Sequence, residues 1–395
     1  MIYVSCFLIA LMEGFDSQIM ALAVPQMAGA WGKPAHEFAI VFSAAGLGMA
    51  FGATAVGYLA DRFGRRWALI WSMLALGVLT FAIIGIHSLS LLVLLRFLGG
   101  ICLGGILVNV IAIAGDVSAP ETRLRNTLLT YTGAPSGALL GSLVGGYLFR
   151  FSDWRLIFIV GGAMALSCII LPLAFLPTGK PACGPLSGDE PNNTGPLVLF
   201  SDTYRNRALA HCAAELLAVM GITLLASWLP TIMAEATGSV ATASLFTSLV
   251  YLGAIVGVVG LAPFLNLVGP KRLLAGIFFI AGAVCVLLNA AIGHSEALTV
   301  AYLTVLGVGV IGGQVALHSL GATLYPAHIR GTGVGLALAV GRVGALTGPI
   351  IGGAVLATAS AKGSIFLVLS GIVLAAACAV AVLDYVTRRD SLELT

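Results

Sequence analysis

Twelve times along the chain, an apolar run of about 20 residues or more ends at a short charged or turn-rich break. A helix rises about 1.5 Å per residue, so each run can cross about 30 Å of hydrocarbon. In lipid the backbone must satisfy its own polar groups, which makes each run a helix. The candidate spans are 2–28, 37–60, 67–87, 90–115, 124–149, 155–177, 206–234, 242–264, 272–293, 298–323, 331–357 and 364–386. Only 9% of the residues are charged and 59% are hydrophobic, against about 25% charged in a soluble chain. Such a chain cannot cover a water-facing surface, which excludes a soluble enzyme and predicts an all-α membrane protein. The 50 glycines suit helices that pack closely in lipid. The 15 prolines suit kinked spans.

Residues 178–205 interrupt the pattern between the sixth and seventh spans. They carry Pro181, Gly184, Pro185, Gly188, Pro191 and Gly195 and read as a flexible linker. The expected organisation is a bundle of six helices over 1–177, a cytoplasmic linker over 178–205, and a second bundle with a short tail over 206–395. Asn192-Asn193-Thr194 fits a glycosylation acceptor, but a cytoplasmic linker never meets that machinery. With both termini in the cytoplasm, thirteen Lys and Arg fall on the inner side and four on the outer side, while Arg96 and Arg342 fall inside spans. Such a bias sets orientation, so the expected location is the cytoplasmic (inner) membrane, multi-pass, with both ends inside. The halves also echo each other at an offset of 205: Pro25 with Pro230, Gly64 with Gly269, Arg66 with Lys271, Arg125 with Arg330, and Thr127 with Thr332. A duplicated bundle predicts a substrate site between the halves, near the membrane midplane.

The seven cysteines show no metal-like spacing. Six lie in apolar runs, and Cys183 stands alone in the linker. The first apolar run lacks a basic start and continues past Asp16, unlike a cleaved signal peptide. Because Met1 already stands at the membrane boundary, the chain reads as one that starts late. The net charge of +3 is too small to suggest nucleic acid. No phosphate-cradling glycine loop, HExxH or GxSxG motif is present. The expectation is a monomeric, non-enzymatic protein in the lipid bilayer, with no metal and no organic cofactor.

Charge inside a span is costly and marks a cavity or a partner. Glu13 and Asp16 share one face of the first helix at i and i+3. Desolvation and mutual repulsion both favour a protonated carboxyl, so the pair can load and release a proton. The structural alternative is an acid locked to an arginine. Arg96 stays charged and needs an anion, for which Asp16 and Glu13 are the natural candidates. Arg342 lies 12 residues beyond Arg330, about 18 Å along a helix, near the middle of the membrane. It suits a carboxylate, with bidentate geometry available, or an internal pair with Glu215 or Asp16. Gln314 and His318 fall at i and i+4 and can line a cavity; His318 can also titrate. Glu215, Asn109, Tyr131 and Phe15 are further cavity candidates, and Trp228 reads as an interfacial anchor. His328 reads as a cytoplasmic loop residue.

The loop Gly57-Tyr58-Leu59-Ala60-Asp61-Arg62-Phe63-Gly64-Arg65-Arg66 resembles the signature of the major facilitator superfamily. Its glycines allow a tight turn, and its charges form a conformational latch. The second-half counterpart, Leu265 to Arg272, keeps glycine and the basic pair but has Asn266 for Asp61, so its latch is expected to be weaker. The spacing from Arg96 to Gly100 resembles a span-four motif linked to proton coupling. Within the superfamily, the chain resembles the aromatic acid/proton symporters. The residues that carry this are Glu13-Gly14-Phe15-Asp16, Arg96, Trp228-Leu229-Pro230, and the run from Tyr325 through Arg342 to Gly353. The family usually has Asp where Glu13 stands and often Asn where His318 stands. The resemblance implies import of a benzoate-type carboxylate with protons by alternating access. Asp16, Glu13 and Arg96 would handle the coupling proton, Arg342 would hold the carboxylate, and Gln314, His318 and Tyr131 would read ring substituents. Gly133-Ala134-Pro135-Ser136-Gly137 is similar to a motif of drug/proton antiporters, which makes proton-driven efflux the alternative.

Overall fold

The computed structural model describes every residue except 120–121, 152, 177–195, 202–203, 261–267, 293, 327–328, 359–363 and 394–395. Most of the 178–205 linker, with Cys183 and Asn192 to Thr194, lies outside the described residues, as do Asn266 and His328. All regular structure among the described residues is helical. Among the described residues, eleven helical stretches, some of them joined across a short turn, are long and apolar enough to cross a membrane. The exception is the expected fifth span. There α5 (Arg123–Tyr131) and α6 (Gly133–Leu148) are separate helices, broken at Thr132. Thr132 Oγ1 donates to the Leu129 carbonyl at 2.6 Å, taking an acceptor that a continuous helix uses. Pro135 has no N–H to give and sits in the first turn of α6, where none is needed.

The chain forms two compact units, Met1–Gly184 with Ala226–Tyr251, and Pro185–Leu225 with Leu252–Thr395. In the first unit, α1 (Ile2–Trp31) is the most buried span. It closes at Gly32, whose left-handed φ of 61° returns its N–H to Ala28 and Gly29, a common helix stop. Against α1 pack α4 (Leu89–Asp116), α5, α6, α7 (Arg155–Ser167) and α8 (Ile170–Phe175), while α2 (Ala39–Phe63) and α3 (Arg65–Ala82) pack on α4. One apolar cluster joins Phe15, Ile19, Leu22 and Phe158; another joins Ile9, Met73 and Leu103. Trp228 is fully buried with its ring edge-on to Phe42 at 5.4 Å. It is a packing residue, in place of the interfacial anchor expected. The outer faces are apolar as well: Phe51 and Val78 are more than half exposed, as lipid contact demands.

The second unit holds most of α9 (Arg205–Thr237) and the end of α10 (Val240–Gly260). It continues with α11 (Pro270–Ala291), α12 (Glu296–Leu306), α13 (Gly313–Leu324), α14 (Arg330–Ala357) and α15 (Ser364–Glu393). A π-helical turn, Gly307–Gly312, joins α12 to α13. Such turns re-aim the side chains that follow and often sit at functional sites; here Gln314 and His318 come next. Serine 370 donates to the Gly282 carbonyl at 2.8 Å, tying α15 to α11.

Local geometry recurs at the sequence repeat. Gly64 opens α3 at φ 101°, and Gly269 opens α11 at φ 88°, conformations that side chains disfavour. A Cβ on Gly48 would stand 2.1 Å from the Phe97 carbonyl, and one on Gly253 would stand 2.1 Å from the Thr304 carbonyl. Both positions permit backbone contact between helices, and they are 205 residues apart.

Candidate functional site

Three helices converge on Asp16. Its side chain is 1% exposed and that of Arg96 is 5% exposed, so both charges are out of water. Arg96 Nη1 reaches Asp16 Oδ2 at 3.5 Å, and Nη2 donates to the Asp16 main-chain carbonyl at 3.4 Å. Thr80 on α3 donates to Oδ1 at 2.9 Å. A tight charge-assisted bond is about 2.8 Å, so the hydroxyl is held closer than the guanidinium. Arg96 Nε has no hydrogen-bond partner among the described residues. The pair is therefore loose. Glu13, also buried, accepts from Ser17 Oγ at 3.1 Å. Thr80 and Ser17 were not singled out from sequence, because a hydroxyl in an apolar run carries no periodic signal.

Phe15 is 1% exposed and belongs to the apolar cluster beside α7. Asn109 Nδ2 donates to the Gly105 carbonyl of its own helix at 2.8 Å. Tyr131, half-buried, ends α5.

In the second unit, Glu215 of α9 is 1% exposed, and His318 Nε2 of α13 reaches its Oε2 at 2.9 Å. His211, one turn earlier on α9, places Nε2 4.0 Å from Oε1 and Nδ1 3.2 Å from the Tyr325 hydroxyl. Gln314 Nε2 lies 2.6 Å from His318 Nε2. Glu215, His318 and Gln314 are thus brought together. His211 was not anticipated, although its i, i+4 spacing to Glu215 was there to read.

Arg342 stands near the middle of α14, half-buried. Among the described residues it makes no ion pair, and Glu215, one of its two expected internal partners, is taken by His318. The other, Asp16, is taken by Arg96.

The signature loop builds a charge cluster at the α2–α3 turn. Arg65 bridges Asp61 at 3.7 Å and Asp116, the last residue of α4, at 2.7 Å. Arg66 donates to the carbonyls of Leu173 and Leu176 at 2.8 and 3.2 Å. In the second unit Lys271 donates to Thr387, and Arg272 pairs with Asp384 at 3.6 Å. The second loop thus has a charge partner from α15 although its own acid is missing. Asp116 and Asp384 were missed because they are distant in sequence from the loops they serve. Gly57 sits on α2 in ordinary contact with Val108, and Arg62 lies over the Phe63 ring at 5.7 Å. No cluster among the described residues has the donors for a metal ion.

Known proteins carry the same plan. The 3-(3-hydroxy-phenyl)propionate transporter of Escherichia coli K12 is 30% identical, over 98% of this chain and 94% of that protein. The gallate transporter of Pseudomonas putida is 29% identical, over 96% and 90%. The 4-hydroxybenzoate transporter PcaK of Acinetobacter baylyi is 29% identical, over 96% and 89%. Among solved structures, the nucleoside transporter NupG superposes with a TM-score of 0.76 at 14% identity, covering 97% of this chain and 98% of that one. An inward-facing bacterial homolog of the human lysosomal transporter Spinster gives a TM-score of 0.74 at 15% identity, covering 98% and 96%. At such identities these two speak for the fold alone. The Major Facilitator Superfamily profile matches residues 6–214 and 211–394. The chain belongs to the Major Facilitator Superfamily and is a transporter, not an enzyme.

Proposed function

We propose that this protein imports a benzoate-type aromatic carboxylate together with protons, by alternating access, in the cytoplasmic membrane. Its relatives, transporters named for gallate, 3-(3-hydroxy-phenyl)propionate and 4-hydroxybenzoate, support an aromatic acid as cargo. The observation that carries the reading is Arg342, a half-buried cation in mid-helix with no carboxylate partner among the described residues. A charge in a span calls for a counter-ion, and an aromatic carboxylate supplies it in the planar geometry a guanidinium prefers. Gln314, Tyr131 and the imidazole of His318 serve the ring hydroxyls.

Asp16 is the principal coupling site. When its carboxyl takes a proton, the attraction to Arg96 is lost, and Arg96 is released to other partners. Glu13, hydrogen-bonded to Ser17, is the second acid of the pair. The charge cluster of Asp61, Arg65 and Asp116 is the latch that holds one conformation. In this reading the broken pair α5 and α6 together make the fifth of twelve spans. The bundles run over 1–177 and 206–395, both termini face the cytoplasm, and the working unit is a monomer.

Equilibrium binding tests the reading. Purified protein is titrated calorimetrically with 4-hydroxybenzoate, gallate and benzoate, and Arg342→Ala is compared. A charge-assisted bond contributes about 1.5–3 kcal/mol, so the variant is expected to bind roughly 10- to 150-fold more weakly. Equal affinity in the two proteins removes Arg342 as the anchor.

A further inference from the structure

Helices α2 and α3 both pack on α4 and touch each other far less. Between them runs an apolar groove of about 650 Å³, within the roughly 300–1,000 Å³ of small-molecule sites. Val56 and Phe63 of α2 line one side, Trp67, Trp71 and Ala75 of α3 the other, and Cys102 of α4 lies among them. Phe63, Trp67 and Trp71 are each at least half exposed, so the groove opens to the surface. It starts at the α2–α3 turn and reaches Ala75, ten residues beyond Arg65, about 15 Å along a helix. That is half of a hydrocarbon core about 30 Å thick, the depth of one leaflet. In hydrocarbon, apolar walls of this shape gain contacts from a chain that lies between them.

The turn end of the groove carries a cation. Arg62 Cζ stands 5.7 Å from the centroid of the Phe63 ring. Arg62 is exposed and makes no ion pair among the described residues. The acids beside it are already held, because Arg65 bridges both Asp61 and Asp116. Arg66 donates to the carbonyls of Leu173 and Leu176, so no carboxylate offsets its charge either. Helix α3 opens at this turn behind Gly64 and adds the positive end of its dipole. In the proposed orientation the turn faces the cytoplasm, where anionic lipids attract arginines at the membrane surface. The internal repeat shows that the turn itself does not need this set of side chains. At the offset of 205, Arg62, Phe63, Trp67 and Trp71 fall on Leu267, Val268, Arg272 and Gly276, although Gly64 and Gly269 keep the same backbone geometry. We propose that the groove between α2 and α3 binds an anionic phospholipid, with one acyl chain against Trp67 and Trp71 and the phosphate on Arg62. A guanidinium suits a phosphate, and the groove suits the chain; a zwitterionic lipid matches the groove alone. The site stands apart from the aromatic-acid reading above.

Bromine on an acyl chain quenches an indole that it touches, which gives the test. The full chain is placed in phosphatidylcholine vesicles with a minor fraction of brominated phosphatidylglycerol, or with the same fraction of brominated phosphatidylcholine, and tryptophan fluorescence is read. Trp154 and Trp228 are buried and Trp31 packs on Phe38 and Trp154, so Trp67 and Trp71 are the reporters. The expected result is a preference of about fivefold for the anionic lipid, the attraction of one arginine at a membrane surface. Trp67→Phe with Trp71→Phe should remove the signal, and Arg62→Gln should bring the preference close to one. Ala75→Phe fills the groove from an exposed position with the charge unchanged, and should also reduce quenching by the anionic lipid. Equal quenching by the two lipids in the wild-type protein means an ordinary lipid shell and overturns the proposal. A preference undiminished in Arg62→Gln overturns it too; if that variant does not fold, quenching undiminished in Ala75→Phe does so instead. Absence of quenching by either lipid means that another occupant, such as a second copy of the chain, covers the groove, and the proposal fails.

Discussion

In the proposed mechanism a single carboxyl, that of Asp16, holds both a cation and a proton. Two bonds to Arg96 at 3.4 and 3.5 Å and one to Thr80 at 2.9 Å set how readily it does so. Asp16→Asn keeps the shape and removes the titration. It is expected to abolish accumulation driven by a pH gradient while preserving exchange of labelled for unlabelled acid, as measured in vesicles. Thr80→Val removes a hydrogen bond to an ionised carboxylate, about 1.5–3 kcal/mol. A roughly 10- to 150-fold loss in the rate of gradient-driven uptake is expected, with binding of the acid unchanged. The sequence made Asp16, Arg96 and Arg342 legible because a charge in an apolar run stands out. Thr80 and His211 were not legible: their roles depend on which helices meet, and hydropathy does not encode that.

Among the helices, close contact is set by glycine. A Cβ at Gly137 of α6 would stand 1.8 Å from the Leu11 carbonyl of α1, where backbone cannot yield. Gly137→Ala must push α6 away from the helix that carries Glu13 and Asp16. Overpacking of this kind costs about 1–3 kcal/mol or more, so lower yield and a reduced thermal midpoint are expected in detergent. The proposed latch behaves differently. Asp116 is 43% exposed, and ion pairs so exposed contribute at most about 1 kcal/mol. Asp116→Asn should leave the thermal midpoint nearly unchanged; a large drop would mean that the cluster holds the fold together. Span positions were readable from run length alone. The break between α5 and α6 was not placed, since Pro135 can end a helix, kink it or begin the next one.

Across the whole molecule, the repeat at an offset of 205 was visible in sequence and reappears as paired geometry at Gly64 and Gly269. Which segments cluster into each compact unit was not visible. Ala226–Tyr251 clusters with the first unit, where Tyr251 donates to Gln18 and Trp228 meets Phe42. Such pairings follow from three-dimensional packing. The proposed orientation places Arg62 inside and Lys33 outside. With single cysteines at these positions in intact cells, an impermeant thiol reagent should label position 33 and spare position 62. The reverse pattern would invert the topology.

The most direct test of the account is accumulation of labelled 4-hydroxybenzoate, gallate and benzoate in proteoliposomes, with and without an inward proton gradient. The account predicts uptake above equilibrium for at least one acid, present only with the gradient and lost in Arg342→Ala. Gradient-independent behaviour toward every acid, with proton-driven export of lipophilic compounds instead, would contradict it.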